Sequence, residues 1–189
     1  IDTVITIGTP IVNGCTDPAA CNYDNTATID DGSCITVTAG ADQTMCYGGI
    51  ASSVSATSGG VTGTYSWADA SNPLVVLGVG SNFSPPALTT TTVYTVTFTE
   101  SVSGDACTAT ANVTITVNPL PTATIATSQT ACFGSSTIPA LFAIGANVNW
   151  YSDAALTVNV FTGNSYATGQ TAVGLYTYYV TETLPTGCE

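Results

Sequence analysis

Asp17, Asp24, Asp30 and Asp31, with Asn22 among them, crowd oxygen-bearing side chains into the stretch GCTDPAACNYDNTATIDDGSC, residues 14–34. Hard oxygen donors are the ligands Ca2+ takes, and Gly32 permits the sharp turn that a calcium loop needs. Those five residues are therefore the expected metal ligands and calcium the expected ion. Without a cation the four carboxylates repel one another. The alternative is a solvated, turn-rich acidic linker. Three cysteines, Cys15, Cys21 and Cys34, share the stretch, and their spacing leaves open which pair forms and whether Cys21 stays free or joins Cys15.

Catalysis finds little support elsewhere. The 189 residues hold no Lys, Arg or His, against 12 Asp and Glu. A Ser or Cys nucleophile has no conventional base, a metal has no imidazole ligand, and no Lys can form an isopeptide crosslink. Glu100 and Glu182 could pair as in glycoside hydrolysis, but they recur in two copies of a repeat, so no catalytic residue is expected. Nucleic acid and anionic membranes are gripped through cationic side chains, which excludes both as partners. Seven cysteines without zinc-type spacing imply disulfides and an oxidising, extracellular setting. With no initiator Met, signal peptide or spanning segment, the chain is expected to be a piece of a longer secreted protein not inserted in a membrane.

The elements that position these residues are repeated. QTMCYGG at 43–49 recurs as QTACFGS at 129–135, YTVTFTESVSGDAC from Tyr94 recurs as YTYYVTETLPTGC from Tyr176, and each copy carries one Trp, Trp67 or Trp150. Strand-period alternation is clear in Val93, Thr95, Thr97 and Thr99 against Tyr94, Val96 and Phe98, and turn signals fall at β-sandwich intervals. NPLP at 118–121 marks the boundary between copies. Pairing within copies, Cys46 with Cys107 and Cys132 with Cys188, is the economical assignment. One Trp per sandwich reads as core rather than as a sugar platform, whereas one of Tyr178 and Tyr179 must face outward. NFS at Asn82 and NVT at Asn112 match the N-glycan acceptor pattern.

The run YTVTFTES…CTATANVTITVNPLPTAT resembles the tandem immunoglobulin-like or PKD-like domains of very long cell-surface and secreted proteins of Bacteroidota. The opening stretch is similar to a short repeat of the same proteins, G-C-T-D-P-x-A-x-N-Y-[ND]-x-x-A-x-x-D-D-G-S-C. The resemblance implies adhesins, surface filaments or multi-domain secreted products. It also implies a bridge between the outer cysteines, Cys15 and Cys34, with Cys21 left over. DTV at residues 2–4 resembles an Asp-Ser/Thr-aliphatic O-glycosylation site of that phylum, making Thr3 a candidate for a covalent glycan.

The expected fold is all-β: two tandem immunoglobulin-like sandwiches, at 36–120 and 121–189, preceded by the Cys/Asp-rich module at 13–35 and an N-terminal strand at 1–12. In the first copy Cys107 is followed by TATANVTITVNPLP, whose Val113, Ile115 and Val117 make a final strand; in the second, Cys188 is followed only by Glu189. The second domain is thus expected to lack that strand and to expose a groove. Thr3, Ile5 and Ile7 alternate as Val113, Ile115 and Val117 do, and Pro10 falls where Pro119 ends the equivalent strand. Residues 1–9 are therefore expected to fill the groove of a neighbouring copy, head to tail. The function this suggests is a structural protomer of an extracellular filament or adhesin stalk. The alternative is a carbohydrate-binding accessory segment of a secreted multi-domain protein.

Overall fold

The structure, a computed structural model, describes residue 8 and residues 10–101, 107–122, 124–135 and 138–189. The donor-strand residues Thr3, Ile5 and Ile7 lie outside the described residues. The chain is all-β and sandwich-like, and it divides into two compact units, Ile1–Val117 and Asn118–Glu189.

The first unit opens with a two-residue parallel pair, β1 (Asn13–Gly14) and β2 (Ile29–Asp30). There follow β3 (Thr38–Ala39), β4 (Gln43–Cys46), β5 (Val54–Thr57), β6 (Gly63–Asp69), β7 (Asn72–Val79), β8 (Asn82–Phe83), β9 (Thr92–Glu100) and β10 (Thr108–Asn118). One sheet has the order β4-β10-β9-β6-β7 and the other β3-β5-β8. β9 behaves as its alternation requires: Tyr94, Val96 and Phe98 are buried and the threonines between them are not. Facing them across the core are Val54, Ala56 and Phe83, with Ile35 and Val37 on the segment that enters the unit from the module. Val113 and Ile115 of β10, both fully buried, complete this core.

Trp67 on β6 is fully buried, and its Nε1 donates to the Gly80 carbonyl at 3.0 Å. Its ring stacks on Phe83, which meets Tyr94 edge-on. The indole donor would be costly to leave unpaired there, so the bond fixes how the β7–β8 segment returns under the ring.

The second unit repeats this plan in shorter elements: β11 (Ile125–Thr127), β12 (Leu141–Ile144), β13 (Val148–Tyr151), β14 (Asn159–Thr162), β15 (Ser165–Tyr166) and β16 (Tyr179–Glu182). Its sheets run β11-β12-β15 and β14-β13-β16. Trp150 on β13 is again buried, again donates its Nε1 to a carbonyl 13 residues on (Gly163, 2.8 Å), and again contacts an aromatic, Tyr166. Tyr166 in turn meets Tyr178 edge-on.

Strand pairing refines the repeat. Trp67 stands opposite Val96 and Trp150 opposite Val180. The structural counterpart of Tyr94 is therefore Tyr178, not Tyr176 as the shared YT…TE string suggests. A slip of two residues keeps every side chain on the same face, which is why the alternation conceals it.

Phe98→Ala should cost about 3–5 kcal/mol in chemical denaturation, and Val93→Ala on the other face of β9 much less. Gly63→Ala should also destabilise, because its Cβ would lie 2.4 Å from both Phe98 Cζ and the Thr99 carbonyl oxygen.

Candidate functional site

Two places gather the residues singled out by the sequence: the acidic module and the outer edge of β16. In the module Cys15 and Cys34 are bridged, with Cα atoms 4.7 Å apart. Asp17 Oδ1 accepts from the Ala19 amide at 2.9 Å, Asp30 Oδ1 from Gly32 at 3.0 Å and Asp31 Oδ1 from Ser33 at 3.0 Å. Asp24 Oδ1 takes both the amide and the hydroxyl of Thr26, at 2.8 and 2.7 Å. Each aspartate thus caps a turn two residues downstream, a common role for short carboxylates. Gly32, at φ +78°, supplies the left-handed position between two of these turns. Asn22 clamps the module, donating to the Ser33 carbonyl at 2.6 Å and accepting from the Ile35 amide at 2.8 Å. Among the described residues no three His, Cys, Asp or Glu side chains are grouped to hold a metal ion. The carboxylates each accept a hydrogen bond from local backbone.

The hydrogen bonds also set the charge. The Thr26 hydroxyl, then its amide, hold Asp24 below its ordinary value of 3.8, and the Ser33 hydroxyl and amide do the same for Asp31. The same turn chemistry recurs at the β6–β7 hairpin, where Asp69 accepts from the hydroxyl and amide of Ser71, and at Asp153, which accepts from the Thr157 and Val158 amides.

The disulfides correct the sequence reading. Cys107 is bonded to Cys21, not Cys46, with Cα atoms 5.7 Å apart. Ile35 is buried in the core of the first unit and its carbonyl accepts the Cys21 amide at 3.2 Å, which ties Cys21 to the unit that carries Cys107. Cys132 is a free, exposed thiol, so the expected bridge to Cys188 does not form, although Cys46 and Cys188 are both oxidised. The Cys21–Cys107 bond closes a loop with a sequence separation of 86, worth about 4.5 kcal/mol on the chain-entropy model. No spacing rule pointed to it; the only sequence signal was an odd cysteine.

The second place is a groove. In the first unit β9 is flanked on one side by β6 and on the other by β10; β16 pairs with β13 alone among the described residues. Among the described residues the β14-β13-β16 sheet has no counterparts of β10 and β4. The buried core is correspondingly thin, consisting of Ala143, Val148 and Trp150 with Leu141, Tyr166, Tyr178 and Val180 packed against it. A cavity of about 510 Å³ opens beside it, lined by Cys132, Phe133, Ile138, Leu141, Tyr176 and Tyr178 among others. In the first unit Val113 stands opposite Tyr94 and Ile115 opposite Thr92. By the register above, the corresponding positions in the second unit are Tyr178 and Tyr176, both on the cavity wall.

The remaining candidates are dispersed. Trp67 and Trp150 are core residues; Tyr178 is half-buried and Tyr179 exposed. Asn82 on β8 and Asn112 on β10 are exposed, and Asn112 Oδ1 accepts from the Thr95 hydroxyl at 2.8 Å. Glu182 accepts from the Ala146 amide at 2.6 Å, a structural bond that ties a loop to β16.

A family described as "Domain of unknown function (DUF8696)" has a model that matches residues 35–119, which is the first sandwich without the acidic module. No curated protein matches the chain.

Non-reducing peptide mapping should recover Cys21 linked to Cys107, and iodoacetamide without reductant should label Cys132 alone. Because Asp24 and Asp31 have lowered folded-state values, the stability they add is present above about pH 4 and is lost as pH falls through those values. Acid titration followed by carboxyl NMR shifts should show both titrating below the range of an unfolded Asp.

Proposed function

We propose that the chain is a structural segment of an extracellular bacterial filament or adhesin stalk, whose copies join head to tail by strand addition to the second unit. One observation carries this reading: among the described residues β16 pairs with β13 alone, whereas β9 of the first unit is flanked on both sides, and a groove of mixed polar and apolar lining opens beside Tyr176 and Tyr178. The donor is the stretch IDTVITIGT, with Thr3, Ile5 and Ile7 in the places of Val113, Ile115 and Val117. Seating Ile5, Ile7 and Ile1 would contribute roughly 5–8 kcal/mol gross, at 1.5–3 kcal/mol per large aliphatic side chain. Backbone pairing would cap the edge of β16 as well. The contact is heterologous, so its repetition extends without closing.

The disulfides fit an oxidising, extracellular environment. Placement at the cell surface is part of the proposal, and the likeness to Bacteroidota surface proteins supports it. The reading assigns no catalysis, because the chain has no His, Lys or Arg. It ranks the carbohydrate-binding alternative second, because both Trp rings are enclosed in cores, leaving tyrosines such as Tyr176 and Tyr179 exposed for stacking. Covalent glycans at Thr3, Asn82 and Asn112 belong to the same proposal and would show as mass increments on the peptides carrying them. Calcium enters as a cation drawn by the charge of Asp17, Asp24, Asp30 and Asp31, not as one held by a ready ligand set.

Electron microscopy of the purified chain should show end-to-end polymers, and Ile5→Asp with Ile7→Asp should abolish them while leaving the melting temperature of the first unit unchanged. Polymers that survive the double substitution would refute strand donation. Chelator should lower the melting temperature by a few degrees; an unchanged melt with no metal in elemental analysis would remove calcium and leave strand addition standing.

A further inference from the structure

A hairpin has already turned at the end of β16. The Leu184 amide donates to the Cys188 carbonyl at 2.8 Å, and the Gly187 amide to the Leu184 carbonyl at 2.8 Å, with Gly187 at φ +84°. Pro185, Thr186 and Gly187 thus have the bonds and residue order of a three-residue hairpin loop, a proline at its first position and a left-handed glycine at its third. The side on which it returns is also fixed. The Thr183 amide donates to the Asn147 carbonyl, at the start of β13. Successive amides of a strand point to opposite edges, so that of Leu184 points away from β13 and Cys188 lies on the other edge of β16.

The first unit shows where such a turn leads. There the Glu100 amide donates to the Cys107 carbonyl at 3.0 Å, and β10 begins at the next residue and runs antiparallel along β9. In the register that matches Tyr94 with Tyr178, Glu100 corresponds to Leu184, so the closing bond is the same one although the loops differ in length. Glu189 then holds the place of Thr108, which stands opposite Thr99, the counterpart of Thr183. Its side chain conforms: Oε1 accepts from the hydroxyls of Tyr151 on β13 and Thr181 on β16, which share a face with Thr183. The chain at Glu189 is therefore set to run along β16 toward Tyr178, Tyr176 and the cavity beside them.

We propose that the strand filling this groove is the return arm of the Leu184–Cys188 hairpin: the polypeptide runs on from Glu189 into a stretch of the IDTVITIGT kind, and successive copies are covalent repeats of one chain. This rests on the strand addition proposed above and names how the donor arrives. With Thr3 in the place of Val113, Ile1 falls opposite Val180 and two residues bridge Glu189 to it. Entry from the far end of the groove, beside Tyr176, would start about 27 Å along the strand. A two-residue joint, about 10 Å at full extension, does not reach it.

Two full copies fused through Gly-Ser test this, the first copy carrying Ile5→Asp and Ile7→Asp so that only the internal strand can donate. The reporters are the Val180 and Glu182 amides, which point to the same edge as that of Leu184. At a concentration where single copies stay apart, one of the two Val180 and one of the two Glu182 amides should exchange at least tenfold more slowly than in the single chain. A flexible linker of about twenty residues in the same place should not improve on this. Protection with the long linker and none with the short one would overturn the hairpin route and leave strand addition standing; protection with neither would overturn both. Native material boiled in detergent with reductant should keep a mass of several copies, and a mass of one copy would overturn covalent repetition.

Discussion

Each unit is organised around one buried indole whose single donor has to be satisfied. Trp67 reaches Gly80 and Trp150 reaches Gly163, in both cases a carbonyl 13 residues on. That bond sets the length of the hairpin after the Trp strand and brings the next aromatic, Phe83 or Tyr166, against the ring. From there a tyrosine is placed edge-on, Tyr94 on β9 or Tyr178 just before β16. The chain of contacts is conserved between the units even where loop lengths and strand lengths differ. It is the common constraint to which the rest of each sandwich is fitted.

What differs is how much closes around it. The first unit adds β10 and β4 to the strand bearing Tyr94, and Val113 and Ile115 are then sealed from water. Among the described residues β16 of the second unit pairs with β13 alone, and the residues equivalent to the start of β9 are not strand there. β9 runs for nine residues and β16 for four. An unpaired edge gives those residues no second hydrogen-bonding partner, so the ladder shortens on the side where the neighbour is missing.

The all-β class, the alternation of β9 and the core placement of both Trp residues were legible because each rests on a local period or on the size of one side chain. The cysteine pairing was not legible. Cys21 meets Cys107 only because Ile35 is drawn into a core built by residues far along the chain. The acidic module is read in two ways for a different reason: short carboxylates near Gly, Ser or Thr suit both calcium loops and chains of capped turns. Residue types do not reveal the turns themselves, in which Asp17, Asp24, Asp30 and Asp31 each accept a backbone amide two residues on. The two-residue offset between Tyr94 and Tyr176 was hidden by the strand period itself.

The absence of cations leads to the way such a chain makes contacts. With no Lys, Arg or His, none of its carboxylates has a side-chain counter-ion, and several are steadied by amides and hydroxyls of their own turns. Those bonds are local and leave nothing to offer a neighbour except negative charge. Any specific association between copies must then be built from backbone edges, hydroxyls and apolar surface, because electrostatic attraction between identical polyanions is not available. Strand pairing meets that condition, since its hydrogen bonds come from the main chain and ask for no charge of either sign. β16, which pairs with β13 alone among the described residues, offers an edge of that kind with the carboxylates left in water.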